Sequence, residues 1–408
     1  MILKSNILHI NVNHLTINVK VVFFRKGEAI KLIYFDNSAT TKAHPEIINT
    51  FVAVNEKYWA NPASIHEFGH HTNELLETAR EQIAEILQTP SDKIYFTSGG
   101  TESNNLAIFG LANKYKQRGN HVLISAIEHP SVLEAAKRLS TQGFKVEYIP
   151  VNKDGVISLE EVEKLLRDDT VLVSVMHVNN ETGAIQPIRE LSTIVRAKSR
   201  ALIHIDAVQS FGKMKVNFHD LDVDAITISS HKIHGLKGSG LFALKKFIEV
   251  DPILFGGGQE LGIRSGTTPV PLAVSTAKAI RMASQNVEDR AEKLQKMTND
   301  LASFLQTFST IKLISPENRA PHILTFSVRK LKGEVLINAL QKEDVLVSTS
   351  SACSSRQIKT SHVLKAMHIE DDYIKGVIRL SLSTMNTMDE IQQFKKVFTQ
   401  VMNVIKGE

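Results

Sequence analysis

From about residue 46 onward the chain alternates short apolar runs with stretches of helical spacing, and this alternation restricts the fold more than any other feature. The runs His121–Ser125, 171–175, Leu202–Asp206, Ala225–Ser229 and Gly240–Leu244 are short and apolar, as suits strands buried on both faces. Between them, Leu75, Leu76, Ala79, Ile83 and Leu87 recur at helical spacing, and residues 131–139 and 159–166 repeat the pattern. The alternation predicts an α/β fold, with a mostly parallel sheet covered by helices on both faces. Ligands of such sheets bind outside the carboxyl ends of the strands.

A chain of 408 residues is long for one core, and the pattern changes near residue 286. Val287, Ala291, Leu294, Leu301 and Leu305 predict a long connecting helix. An apolar run at Ile323–Val328, a helix at 334–341 and a strand at 378–381 then predict a smaller α+β domain. The expected division is a large domain over 46–286 and a small one joining 32–45 to 287–408. Residues 1–31 read differently. Leu8, Ile10 and Val12, then Leu15, Ile17, Val19 and Val21, alternate with period two, which suits a hairpin. This segment is expected to be an extension outside the core fold, with native initiation near Leu32 as one explanation.

The formal net charge of +5 is too small to argue for direct nucleic-acid binding. Cys353 is the only cysteine, so no disulfide within the chain and no multi-cysteine metal site can form. A lone cysteine is more often a small buried hydrophobe than a nucleophile. The apolar Val21-Val22-Phe23-Phe24 is too short to span a membrane and is followed by Arg25-Lys26. No secretory pattern precedes the core, so a cytoplasmic protein is expected.

Four strand ends carry chemistry. Ser229-Ser230-His231-Lys232 follows the run 225–228, which puts Lys232 where a strand gives way to a glycine-bearing loop. A lysine desolvated there has the lowered pKa that imine formation requires. Asp206 ends a buried run, where a carboxylate costs free energy unless paired, and Gln209 follows it. Alone, Asp206 would serve equally well as a helix cap. Thr97-Ser98-Gly99-Gly100-Thr101 leads from a strand at 93–96 into a helix, a place suited to an anion. It lacks the lysine of a nucleotide-binding P-loop. Glu128-His129-Pro130 and Val178-Asn179-Asn180-Glu181-Thr182-Gly183 follow two further strands. A Schiff-base lysine, an acid for a ring nitrogen, a phosphate cradle and a group for the ring face are the four needs of a pyridoxal enzyme.

Together with Tyr34-Phe35-Asp36-Asn37-Ser38-Ala39-Thr40-Thr41, Asn61-Pro62-Ala63-Ser64-Ile65-His66, Arg264-Ser265-Gly266-Thr267 and Ser350-Ser351-Ala352-Cys353-Ser354-Ser355, these segments resemble the NifS/IscS-type cysteine desulfurases, in the class V aminotransferase group of fold-type-I pyridoxal enzymes. The ordered set runs from about residue 33 to the end. The resemblance implies a seven-stranded large domain, pyridoxal 5'-phosphate as cofactor, L-cysteine as substrate and a homodimer. It implies that Lys232 forms the Schiff base, Asp206 contacts the pyridine nitrogen, Gln209 the ring oxygen, and that His129 stacks on the ring and moves protons. Gly100, Thr101, Ser229 and His231 would bind the phosphate, with Thr267 reaching it from the other subunit. Asn180 and Arg379 would hold the substrate carboxylate, and Cys353 would receive the sulfur as a persulfide. Arg356 and His362 are the groups near enough in sequence to assist that thiol. The sulfur would pass to an acceptor protein, a tRNA 4-thiouridine synthase or an iron–sulfur scaffold.

One departure is Ser383, where the family more often has Gly. If that position needed positive φ, Ser would be strained there. Other readings are a selenocysteine lyase, another class V aminotransferase, or a sulfur-relay scaffold without turnover.

Overall fold

The computed structural model describes residues 6–12, 15–21, 32–349 and 361–406. Cys353 and Arg356 lie outside the described residues. The period-two pattern near the N-terminus forms β1 (Asn6–Val12) and β2 (Leu15–Val21), which pair antiparallel and, among the described residues, with no other strand. A short strand, β3 (Ile33–Tyr34), follows.

The central sheet has seven strands: β4 (Ile94–Thr97), β5 (His121–Ser125), β6 (Lys145–Ile149), β7 (Thr170–Met176), β8 (Leu202–Asp206), β9 (Ala225–Ser229) and β10 (Gly240–Leu244). Their order across the sheet is β4-β10-β9-β8-β7-β5-β6. β10 runs antiparallel to both neighbours, and the other pairings are parallel. A parallel return needs a dozen or more residues, usually including a helix. The link from Ser229 to Gly240 holds only a single 3-10 turn, Ser230–Lys232, so the chain turns back instead. β6 was not among the predicted strands. It is an edge strand whose Lys145 and Tyr148 are exposed, so it carries no continuous apolar run.

Successive residues of the strands point to opposite faces, which divides the core in two. Leu123, Val173 and Ile203 pack on one side with Ile83 and Ala277, from the helices Glu67–Leu87 and Val270–Ser284. Val122, Leu172 and Leu202 pack on the other with Leu106 and Val132. Helix starts follow their sequence signals. Ser158 caps Leu159–Leu165 by accepting from the Glu161 N–H, in a Ser-x-x-Glu pattern.

The predicted connecting helix is present as Val287–Leu305, with Glu288 and Asp289 in its first turn. Beyond it, β11 (Ile311–Leu313), β12 (Ile323–Val328) and β14 (Val377–Ser381) form an antiparallel sheet. β13 (Val345–Leu346) pairs with β3 in parallel. Ile33 and Phe35 therefore share a core with Leu301, Phe326, Leu380 and Phe398. Val363, Leu364 and Met367 pack instead against the core of the large sheet.

Ser383 does not have positive φ, so the condition for strain there is not met. Its N–H donates to Asn386 Oδ1 at 2.8 Å, and its hydroxyl accepts from the Met385 N–H at 3.3 Å. No described helix is long and apolar enough to cross a membrane.

Candidate active site

Because β4, β5, β7, β8 and β9 point the same way, the loops at their carboxyl ends meet at one edge of the sheet. There they enclose a cleft of about 220 Å³. Gly100, Thr101, His129, Asn180, Asp206, Gln209, Ser229, His231 and Lys232 all line it. Residues distant in sequence are thus brought together by strand direction alone.

Lys232 Nζ donates to the carbonyls of Ser38 and, at 2.8 Å, Ala39. These come from the segment after β3, which crosses the cleft and leaves the amine inside it. Gln209 Nε2 also donates to the Ser38 carbonyl, at 3.0 Å. Asp206, buried at 5% exposure, accepts from the Val208 N–H at 2.9 Å and from Asn104 Nδ2 at 2.8 Å. An ionised carboxylate has about four acceptor positions, so capacity remains for a further donor.

His129 caps the helix Pro130–Ser140, and its Nδ1 accepts from the Ser131 N–H at 3.2 Å. A backbone N–H can only donate, so the ring proton is on Nε2. The Ser131 hydroxyl, 2.8 Å from the same Nδ1, accepts from Asn104 Nδ2 at 2.9 Å and gives its own proton to the imidazole. Asn104 thereby links Asp206 to His129. Burial lowers the pKa of His129, and Lys232 and His362 push the same way against Asp206. The ring is therefore neutral near pH 7.

Gly99 and Gly100 form the turn into the helix Gly100–Asn105, with Gly99 at φ 144°. A side chain at Gly100 would meet Val208 Cγ2 at 3.1 Å. Beside this turn, the Ser229 hydroxyl is buried and has no hydrogen-bond partner. His231 Nδ1 is 3.1 Å from Thr40 Oγ1, and burial, aided by Lys232, lowers its pKa to about 4. An unpartnered buried hydroxyl, a glycine turn at a helix start and Thr101 suit a phosphate. Lys232 and Asp206 in the same cleft suit an aromatic aldehyde with a basic ring nitrogen. The residues present therefore fit pyridoxal phosphate.

Two expected residues stand elsewhere, and a third is not among the described residues. Arg379, 1% exposed on β14, donates from Nη1 to the Asn180 carbonyl at 2.9 Å and from Nη2 to Asp36 Oδ1 at 2.8 Å. It does not line the cleft, although Asn180 does. Thr267 is exposed and lies outside the cleft of its own chain. Its loop is tied to the glycine turn by Arg264, which pairs with Glu102 at 2.9 Å. Cys353 lies outside the described residues. A few positions beyond it, the Ser361 hydroxyl donates to Glu181 Oε2 at 2.6 Å, and His362 Nε2 donates to the Glu128 carbonyl at 2.9 Å.

Sequence reasoning missed Asn104, Ser131, Ser38 and Ala39 as members of the site. The last two act through backbone carbonyls, which no side-chain pattern reveals. The only signal was that all four lie inside or beside segments already singled out.

Residues 33–394 match the family profile described as aminotransferase class-V. The chain is 39% identical over 373 residues to a NifS/IcsS protein homolog of Lactobacillus delbrueckii subsp. bulgaricus, covering 91% of this chain and 97% of that one. It is 37% identical over 375 residues to cysteine desulfurase IscS 1 of Archaeoglobus fulgidus, covering 92% and 98%. The solved structure of a NifS-like protein matches with a TM-score of 0.86 at 37% identity, covering 91% of this chain and all of that one.

Proposed function

The chain belongs to the class V aminotransferase family and is a pyridoxal-phosphate-dependent cysteine desulfurase; from that premise we propose how its own residues divide the work. The observation that carries the assignment is the convergence of Lys232, Asp206, His129 and the Ser229–Gly100 cradle on one cleft. When bound, the cofactor supplies a carbonyl that joins the substrate amine and a ring that withdraws electrons from its α-carbon.

Lys232 would hold the cofactor between turnovers, and its Nζ then removes the α-proton of cysteine. Asp206, held by the Val208 and Asn104 donors, would pair with the ring nitrogen. His129 presents Nε2–H to the cleft as a neutral donor. Ser229, His231, Thr101 and the Gly100 N–H hold the phosphate. Asn180 and Arg379 take the substrate carboxylate, with Arg379 giving up part of its pairing to Asp36. The Cys353 thiolate attacks the substrate sulfur, and the carbon–sulfur electron pair returns to the alanine being formed. Thr267 is exposed and outside its own cleft, which supports its serving the cleft of a second copy in a homodimer.

The persulfide then passes to an acceptor protein. The Tyr34–Thr41 and Asn61–His66 segments favour a tRNA 4-thiouridine synthase over an iron–sulfur scaffold, and capture of the acceptor on the persulfide would tell them apart. The activity itself is tested on purified holoenzyme with excess thiol. L-cysteine should give alanine and sulfide in equal amounts, at a higher kcat/KM than L-selenocysteine gives alanine. No alanine above the rate of free cofactor would defeat the reading. A strong preference for selenocysteine would move it to a lyase.

A further inference from the structure

A second cavity, of about 350 Å³, adjoins the cofactor cleft. Lys232 and Gln209 line both, but Asn37 and Thr41 face this one whereas Ser38 and Ala39 face the other. Its volume is within the range of small-molecule sites. Nothing in the desulfurase chemistry above uses it.

Its wall is electrostatically one-sided. Lys213, Arg290, His44, His234 and His322 line it, and among the described residues no Asp or Glu does. The side-chain charges acting on Lys213 are those of Lys232 and Arg290. Those acting on His234 are Lys213, His44 and Arg290, and those acting on His322 are Lys213, Arg379 and Lys232. None of them is a carboxylate. Enclosure, with these neighbours, lowers the pKa of Lys213 to about 7. Lys213 and Arg290 are enclosed here with no carboxylate among the described lining residues, a free-energy cost that an anion would offset.

Donors remain for such an anion. Lys213 Nζ makes one hydrogen bond, to the Lys232 carbonyl at 2.6 Å, which leaves two N–H groups. Arg290 closes the end of the helix Val270–Ser284 through the carbonyls of Met282, Ala283 and Gln285. Its Nη1 bonds only Met282, at 3.0 Å, and keeps one N–H. The His322 Nδ1 is buried without a partner. The rest of the wall combines polar Asn37, Thr41, Gln209, Ser383 and Thr384 with an apolar side formed by Ile47, Met282, Leu294 and Leu382. Bare phosphate would leave that apolar surface uncovered.

We propose that this cavity binds a small organic acid, with its carboxylate on Lys213 and Arg290 and its apolar body against Ile47, Leu294 and Leu382. The ligand then sits one hydrogen bond from the backbone of Lys232, and occupancy is felt at the catalytic lysine. The test uses holoenzyme, so that the phosphate cradle is already filled, and follows thermal melting at fixed ionic strength. Hexanoate should raise Tm saturably, and phosphate or neutral hexanamide should do so far less. Lys213→Met and Arg290→Gln, each checked for retained yellow absorbance, should weaken the apparent hexanoate affinity by about tenfold or more. The absence of a saturable rise, or an equal rise in both variants, would overturn the site. An equal effect of phosphate would overturn the organic-acid class, and an equal effect of hexanamide the role of the charge.

Discussion

Replacing Cys353 by Ala leaves a yellow holoprotein that no longer makes alanine from L-cysteine, with turnover down by on the order of 10³-fold or more. The two halves of this result come from different parts of the chain. Colour depends on Lys232 and Asp206, which the substitution does not touch. Turnover depends on a soft nucleophile able to take sulfur from carbon, and Cys353 is the only thiol in the sequence. No second cysteine can substitute, so the loss should be nearly complete. Ser at this position should fail equally, because a hydroxyl is a poor acceptor for sulfur and stays protonated at neutral pH. The thiol ordinarily has a pKa of about 8.5, so only a few per cent is reactive at pH 7. Wild-type turnover in Cys353→Ala would remove the persulfide from the mechanism.

The second large effect is on stability. Acidification from pH 6.5 towards 4 should unfold the protein, because it buries neutral imidazoles. Burial lowers His204 to about 3 and His177 to about 4. His322 is pushed down in the same direction by burial and the cations around it. An unfolded chain binds these protons below about pH 6.5 and the native chain does not, so stability is lost as pH falls through that window. At pH 4.5, His204 and His177 together cost about 5 kcal/mol, a large share of the roughly 5–15 kcal/mol typical of a folded protein. Glu128 and Asp224 oppose this, since burial raises both and native protonation relieves them. They are two carboxyls against His121, His129, His177, His204, His231, His234, His322 and His362, all lowered. A Tm that stays flat from pH 7 to 4.5 would contradict this.

The sequence and the structure agree most closely where one residue's setting is decided by its own strand. Lys232 and Asp206 were legible because each ends a buried apolar run, and parallel strands deliver such ends to a common edge. The reversal of β10 was not legible in its residues, which resemble those of its neighbours. It follows from the short link before Gly240, a constraint of connection length. The bridge from Asp206 through Asn104 and Ser131 to His129 was also hidden. It joins two helices, and an Asn or Ser within a helix carries no mark of what it faces. The pairing of Arg379 with Asp36 spans almost the whole chain, and the shared core of β3 and β14, with the backbone bridge between Asp36 and Ser381, brings them together. Whether Ser383 is strained was open in the sequence, because the answer depends on a backbone angle that the sequence does not display.

The most direct test of the account is to find where the cofactor is attached. Borohydride reduction of the yellow holoprotein, followed by peptide mass mapping, should place a single phosphopyridoxyl group on Lys232. The group on any other lysine, or on none, would contradict the assignment from which every other role follows.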